Sequence, residues 1–179
     1  PKEYNGFKVY GADGAQIVSP FDAELINKVR GLSINDVNFN ANKELMIGLG
    51  EDMDTTYLTR LKTLSLSPGS IKEQKDLSIV FTGIHGTGSV IVPKALKAFG
   101  FNNVTTVASQ DIIDGNFPTV HSPNPEEPAA LEQAISLAKE KGAELVMGTD
   151  PDADRVGIAI PNPEGEYVLL NGNQTGSLL

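Results

Sequence analysis

From residue 77 onward the chain alternates between two hydrophobic rhythms. The run LSIVFTG (77–83) is short, continuous and apolar, as expected of a buried strand, and NVTTVAS (103–109), ELVMGTD (144–150) and RVGIAI (155–160) repeat that character. Between them lie segments with helical spacing, VIVPKALKAFGF (90–101) and PEEPAALEQAISLAKEKGA (125–143). The second places Glu126 and Glu127 near its positive end and Lys139 and Lys141 near its negative end, matching the helix dipole. A turn, PNPEGE (161–166), leads into a further strand, YVLL (167–170). Strand, helix, strand, helix, strand argues for a layered α/β domain.

The earlier part of the chain is less regular. Phe7 to Val9 and Gln16 to Val18 read as short hairpin strands around a turn at Gly11 to Gly14. Ser19 and Pro20 open a helix over FDAELINKVRGL (21–32), with Pro20 at the first helical position and Gly31 near the end. Residues 34–50 are Asn-rich and weakly periodic, as in a linker. From Asp52 to Leu66 a stripe of Tyr57, Leu58, Leu61, Leu64 and Leu66 predicts a helix. The closing NGNQTGSLL reads as the first turns of another helix, so the chain is expected to be a piece of a longer protein.

Composition narrows the functional classes. The chain has 179 residues, 40% hydrophobic and 21% charged, which suits a globular fold. A net charge of −9 argues against nucleic acid or an anionic membrane as the main partner. No apolar run approaches the roughly 18 residues needed to span a bilayer. The absence of cysteine excludes disulfide and thiolate chemistry and fits a cytoplasmic location.

One segment does not fit a purely structural reading. In LVMGTDPDADRVGIAI, Asp150, Asp152 and Asp154 stand at alternate positions and Arg155 follows. Like charges at that spacing repel unless a positive charge sits among them. Three carboxylates in a turning loop can converge on one hard divalent cation. An EF-hand is excluded: counting from Asp150, the glycine position holds Arg155 and the terminal glutamate position holds Pro161. The plainer alternative is a solvated acidic turn. Against it stand the position of the loop after a buried strand, where α/β sheets place ligands, and the adjacent arginine, whose fork suits a phosphate.

GTDPDADRVGIA resembles the metal-binding loop of the α-D-phosphohexomutases, the phosphoglucomutases and phosphomannomutases. The resemblance is collinear. PKEYNGFK is similar to the segment after the family's catalytic serine motif, HGTGSVIVPKALKAFGF to the start of its second domain, NPEEP to the signature before that domain's long helix, and LLNGNQTGSLL to the entry into the third domain. It implies a three-layer α/β/α domain with a mixed sheet, of the phosphoglucomutase domain II type. The implied boundaries are residues 1–33 as the tail of domain I, 34–50 as linker, 51–170 as domain II and 171–179 as the start of domain III. It implies a phosphoserine enzyme that transfers its phosphoryl group to a sugar phosphate and takes one back from the bisphosphorylated sugar. Asp150, Asp152 and Asp154 match the magnesium ligands. Arg155 matches an arginine that contacts the transferring phosphoryl group, and Lys8 an active-site lysine. The implied partners are a sugar phosphate and the other domains of the same chain.

The departure is equally plain. No serine here stands in the Ser-His-Asn context of the family's nucleophile, so this chain by itself is expected to be inactive. DPDADR with FPTV and NPEEP resembles the phosphoglucomutase and phosphopentomutase branch more than the phosphomannomutase one. A non-catalytic metal-binding scaffold is the alternative in another class. GIHGTGS (83–89) could cradle phosphate but lacks the Walker lysine and reads better as a tight strand-to-helix turn. His85 and His121 have no visible triad or metal partner and are expected to have a structural or interface role.

Overall fold

The computed structural model describes residues 8–179, in two compact units that divide between Leu49 and Gly50. Phe7, the expected start of the hairpin, lies outside the described residues.

In the smaller unit the hairpin contracts to a single bridge between Tyr10 and Gln16. It is closed by Gly11 N–H to the Ala15 carbonyl at 2.8 Å and Ile17 N–H to the Val9 carbonyl at 3.0 Å. Helix α1 (Phe21–Arg30) follows, with Pro20 one place earlier than expected, at the N-cap, and Gly31 at the C-cap. Residues 34–50 hold two single 3₁₀ turns, Ile34–Asp36 and Lys43–Leu45. None of the described residues up to Leu49 is buried.

The larger unit opens with α2 (Glu51–Lys62), shorter than the apolar stripe suggested. Leu64 and Leu66 lie beyond its C-cap, Thr63, whose hydroxyl bonds the Arg60 carbonyl, and are exposed; the short α3 (Pro68–Glu73) follows. Then come β1 (Ile79–Thr82), α4 (Gly88–Phe99), β2 (Val104–Thr106), α5 (Pro128–Lys141), β3 (Leu145–Thr149), β4 (Val156–Pro161), β5 (Tyr167–Leu170) and α6 (Gly172–Leu178). The five strands form one sheet in the order β2-β1-β3-β4-β5. β1 pairs in parallel with β2 and β3, while β4 is antiparallel to β3 and β5. The sheet is therefore mixed.

The strand order fixes the layers. The β1–α4–β2 crossover moves one way across the sheet and β2–α5–β3 moves back over β1. Right-handed crossovers in opposite directions put α4 and α5 on opposite faces, the α/β/α arrangement that the family resemblance implies. One face carries Val80, Val146 and Ala159, packed with Ala134 and Ala138 of α5. By alternation Ile79 and Phe81 point to the α4 side, and both are fully buried. Beyond α4 lies α2, joined by Lys94 Nζ to Asp54 Oδ2 at 2.6 Å. At the C-terminus of α5, Gly142 is left-handed at φ 63°, and Lys139 bonds Glu166 at 2.8 Å.

Because β1, β2 and β3 are parallel, the loops at 83–87, 107–121 and 150–155 all leave the same end of the sheet. That end holds the candidate site.

Candidate metal centre

Strand β3 delivers Asp150 directly from its buried end. The chain then turns back into β4, and Thr149 opposite Val156 is the last paired rung. The acidic loop is thus the connection of an antiparallel pair. Ala153 takes a left-handed conformation at φ 59°, with its amide donating to the Asp150 carbonyl at 3.0 Å. That tight turn brings one carboxylate oxygen from each of Asp150, Asp152 and Asp154 to within 4.8 Å of the others. Asp150 is buried, and Asp152 and Asp154 are exposed.

Asp150 is fixed as well as buried. Its Oδ1 accepts the Arg155 backbone amide at 3.1 Å. The Arg155 side chain lies across the cluster, with Nε 3.8 Å from Asp150 Oδ2 and 3.8 Å from Asp154 Oδ1. Burial pushes the Asp150 carboxyl above the usual carboxylate range. The Arg155 amide pulls the other way, while Asp154 and the negative charge of Asp152 push it up further. A divalent cation among these oxygens would reverse that balance. The donors are all oxygen, with no nitrogen or sulfur in the cluster, which suits magnesium or calcium rather than zinc.

The glycine-bearing loop forms the wall beside this turn. Gly86 packs so closely on Pro151 that a Cβ would strike the proline backbone, and a Cβ on Gly88 would strike Thr149 Oγ1. Thr87 donates its amide and its hydroxyl to the Pro151 carbonyl. This is a tight strand-to-helix turn, as the sequence suggested, and its contacts are with the acidic loop.

His85 underpins that wall. It is buried, and Ile84 and His85 are both left-handed, at φ 45° and 62°. Such conformations cost on the order of 1 kcal/mol or more each and persist only where the surroundings over-determine them. Here His85 N–H bonds the Gln110 carbonyl at 2.9 Å, and the Asp114 amide bonds the His85 carbonyl at 3.1 Å. His85 Nδ1 meets the Ile112 carbonyl, so it carries the proton, and Nε2 accepts from Thr119 Oγ1. Thr119 in turn accepts from Gln110, which accepts from Thr82. Every member is satisfied, so His85 is structural. His121 is exposed.

Of the residues singled out from sequence, the three aspartates and Arg155 come together within the larger unit. Lys8 belongs to the smaller unit, in the first arm of its hairpin. Sequence reasoning missed Thr87 and Pro151. The signal was present in glycines on both sides of Thr87, which mark a close backbone approach without naming what approaches.

Comparison with known proteins decides the family of this domain. Residues 55–165 match the model of the phosphoglucomutase/phosphomannomutase α/β/α domain II. The chain belongs to that family. A curated relative from Haemophilus influenzae named "Probable phosphomannomutase" is 40% identical over the whole chain, which covers 36% of the relative. A phosphoglucomutase of Staphylococcus epidermidis is 42% identical, again over 100% of this chain and over 33% of the relative. The chain thus spans about a third of the length of the curated relatives it matches. Among solved structures, a phosphoglucomutase/phosphomannomutase family protein from Burkholderia thailandensis is 24% identical, over 65% of this chain and 23% of that one, with a TM-score of 0.46. No helix among the described residues is long and apolar enough to cross a membrane.

Proposed function

We propose that this chain supplies the metal-binding domain of a phosphoglucomutase that interconverts glucose 1-phosphate and glucose 6-phosphate. The observation that carries the reading is the convergence of Asp150, Asp152 and Asp154 within 4.8 Å, on the loop after β3 of a phosphohexomutase domain II. Asp150, Asp152 and Asp154 would hold magnesium there. When bound, it supplies neutralisation of charge on the transferring phosphoryl oxygens.

The chain's own residues divide the remaining work. Asp150, buried and held by the Arg155 amide, anchors the ligand set. Asp152 and Asp154 complete it from the exposed rim of the loop. Arg155, 3.8 Å from two of the carboxylates, would fork onto a phosphoryl group beside them. Lys8 is assigned to charge stabilisation or proton transfer in the same reaction. The phosphoserine and the sugar-reading residues would come from the rest of a longer protein, working in the cytoplasm, and the chain alone would be inactive.

Glucose phosphates are favoured by the DPDADR form of the loop, and a Staphylococcus relative of 42% identity bears the name phosphoglucomutase. A mannose-phosphate reading rests on the Haemophilus relative of 40% identity. The deciding experiment is a turnover assay of the full-length protein on glucose 1-phosphate and mannose 1-phosphate, with Asp152→Asn alongside. Preference for mannose 1-phosphate overturns the substrate. Turnover unaffected by Asp152→Asn overturns the metal loop.

A further inference from the structure

The loop between β1 and α4 contributes no carboxylate, yet it grips the acidic turn from outside. Thr87 directs two donors at one atom, the Pro151 carbonyl oxygen: its amide at 2.9 Å and its Oγ1 at 3.0 Å. Pro151 stands between the first two carboxylates. A carbonyl has two acceptor lone pairs, and these two bonds engage both.

The orientation of that hydroxyl is informative. Thr87 is the N-cap of α4, where a threonine ordinarily bonds an amide of its own helix. Here its side chain makes no such cap and turns to Pro151 instead. Gly86 adds a steric stop, since its backbone lies directly on Pro151. From inside the turn, the Ala153 amide holds the Asp150 carbonyl and the Arg155 amide holds the Asp150 carboxylate. The peptide between Asp150 and Asp152 is thus fixed from both sides.

The geometry points to Thr87 as a positioning residue for the cation site: its hydroxyl holds the Asp150–Pro151–Asp152 backbone in the conformation that makes the carboxylates converge. This rests on the proposed reading of the aspartates as metal ligands. Without the hydroxyl, Pro151 keeps one bond and its peptide can pivot about it. Three like charges then relieve their repulsion by separating, and a cation must order them again.

The test is calorimetric titration of the 179-residue chain with magnesium alone, with melting of each metal-free variant measured beside it. Thr87→Val deletes the hydroxyl and keeps the shape. Thr87 is exposed, so the fold should tolerate it, and Thr87→Ala makes the same deletion as a second variant. Loss of one hydrogen bond predicts about three- to tenfold weaker binding for Val and Ala, while Thr87→Ser stays within about twofold of the parent. Unchanged affinity in Val and Ala, or a Ser variant as weak as they are, overturns the inference. A cap that serves only the fold would lower melting and leave affinity alone. Asp152→Asn separates the two levels. If it binds magnesium like the parent, the metal reading itself fails. If it loses binding while Val and Ala do not, only the role of Thr87 fails.

Discussion

His85 Nε2 lies 2.8 Å from Thr119 Oγ1, across 34 positions of chain, and this pair joins the loop after β1 to the loop after β2. Replacing His85 by alanine takes the imidazole donor from the Ile112 carbonyl, leaves the Thr119 hydroxyl without its acceptor although Gln110 still donates to it, and opens a cavity. Chemical denaturation should show a loss of about 2–5 kcal/mol. A change under about 0.5 kcal/mol would mean that the network contributes little to the fold.

Leu131 is fully buried against the sheet and packs with Ile84 and Ala130. Its Cδ2 also fills the space where a Cβ on Gly148 would stand. Leu131→Ala should therefore destabilise the larger unit by about 2–5 kcal/mol. Helix α1, which buries no residue, offers the contrast: Ile26→Ala there should cost less than about 1 kcal/mol.

Hydrogen exchange should separate the two units. The amides of α1 should exchange well before those of Ile79–Thr82 in β1, where all four residues are buried. Equal protection would contradict that ordering.

Acid should act on Asp150 in a particular direction. Burial raises its folded pKa above the ordinary aspartate value of 3.8. A carboxyl with a raised folded pKa lowers stability above that pKa and recovers it as pH falls through the folded value toward the unfolded one. The metal-free chain should gain stability from this group across that window, and on the proposed reading magnesium binding should weaken there because protons compete for the same oxygens. Carbon-detected NMR of the Asp150 carboxyl would check it, and a midpoint below 3.8 would contradict the assigned cause.

If the proposed function holds, Arg155→Lys in a phosphomutase that carries this domain should cut turnover at least tenfold and leave metal affinity close to that of the parent, because an ammonium cannot grip a phosphoryl group at two points. Steady-state kinetics with a magnesium titration separates the two effects. Full turnover in the lysine variant would remove Arg155 from the proposed chemistry.

Much of this was legible in the chain itself. The four strands read between residues 77 and 160, and YVLL after them, fall where short apolar runs placed them. Helices α4 and α5 follow their periodicity, with left-handed glycines at Gly100 and Gly142 closing them. The acidic trio was visible because charge repulsion is local and can be read from spacing. Other features depended on tertiary context. The stripe through Leu64 and Leu66 overran the real end of α2, since periodicity alone does not register the cap at Thr63. The bonds from Thr87 to Pro151 span 64 positions, beyond the reach of any local pattern. The His85 network was hidden for the same reason: an isolated histidine in a loop does not announce its partners.

The pairing of Thr149 with Val156 carries a consequence for how this loop can vary. Asp150 to Arg155 are all that lies between two strands locked in antiparallel register. Adding or removing one residue would either break that last rung or carry Pro151 and Ala153 into the places of the aspartates. The turn at 162–165, between β4 and β5, bears no such constraint. Insertions should accumulate at the outer hairpin, while the inner one keeps its length wherever the three carboxylates converge. The sheet acts here as a ruler, and the spacing of the three carboxylates is read from it.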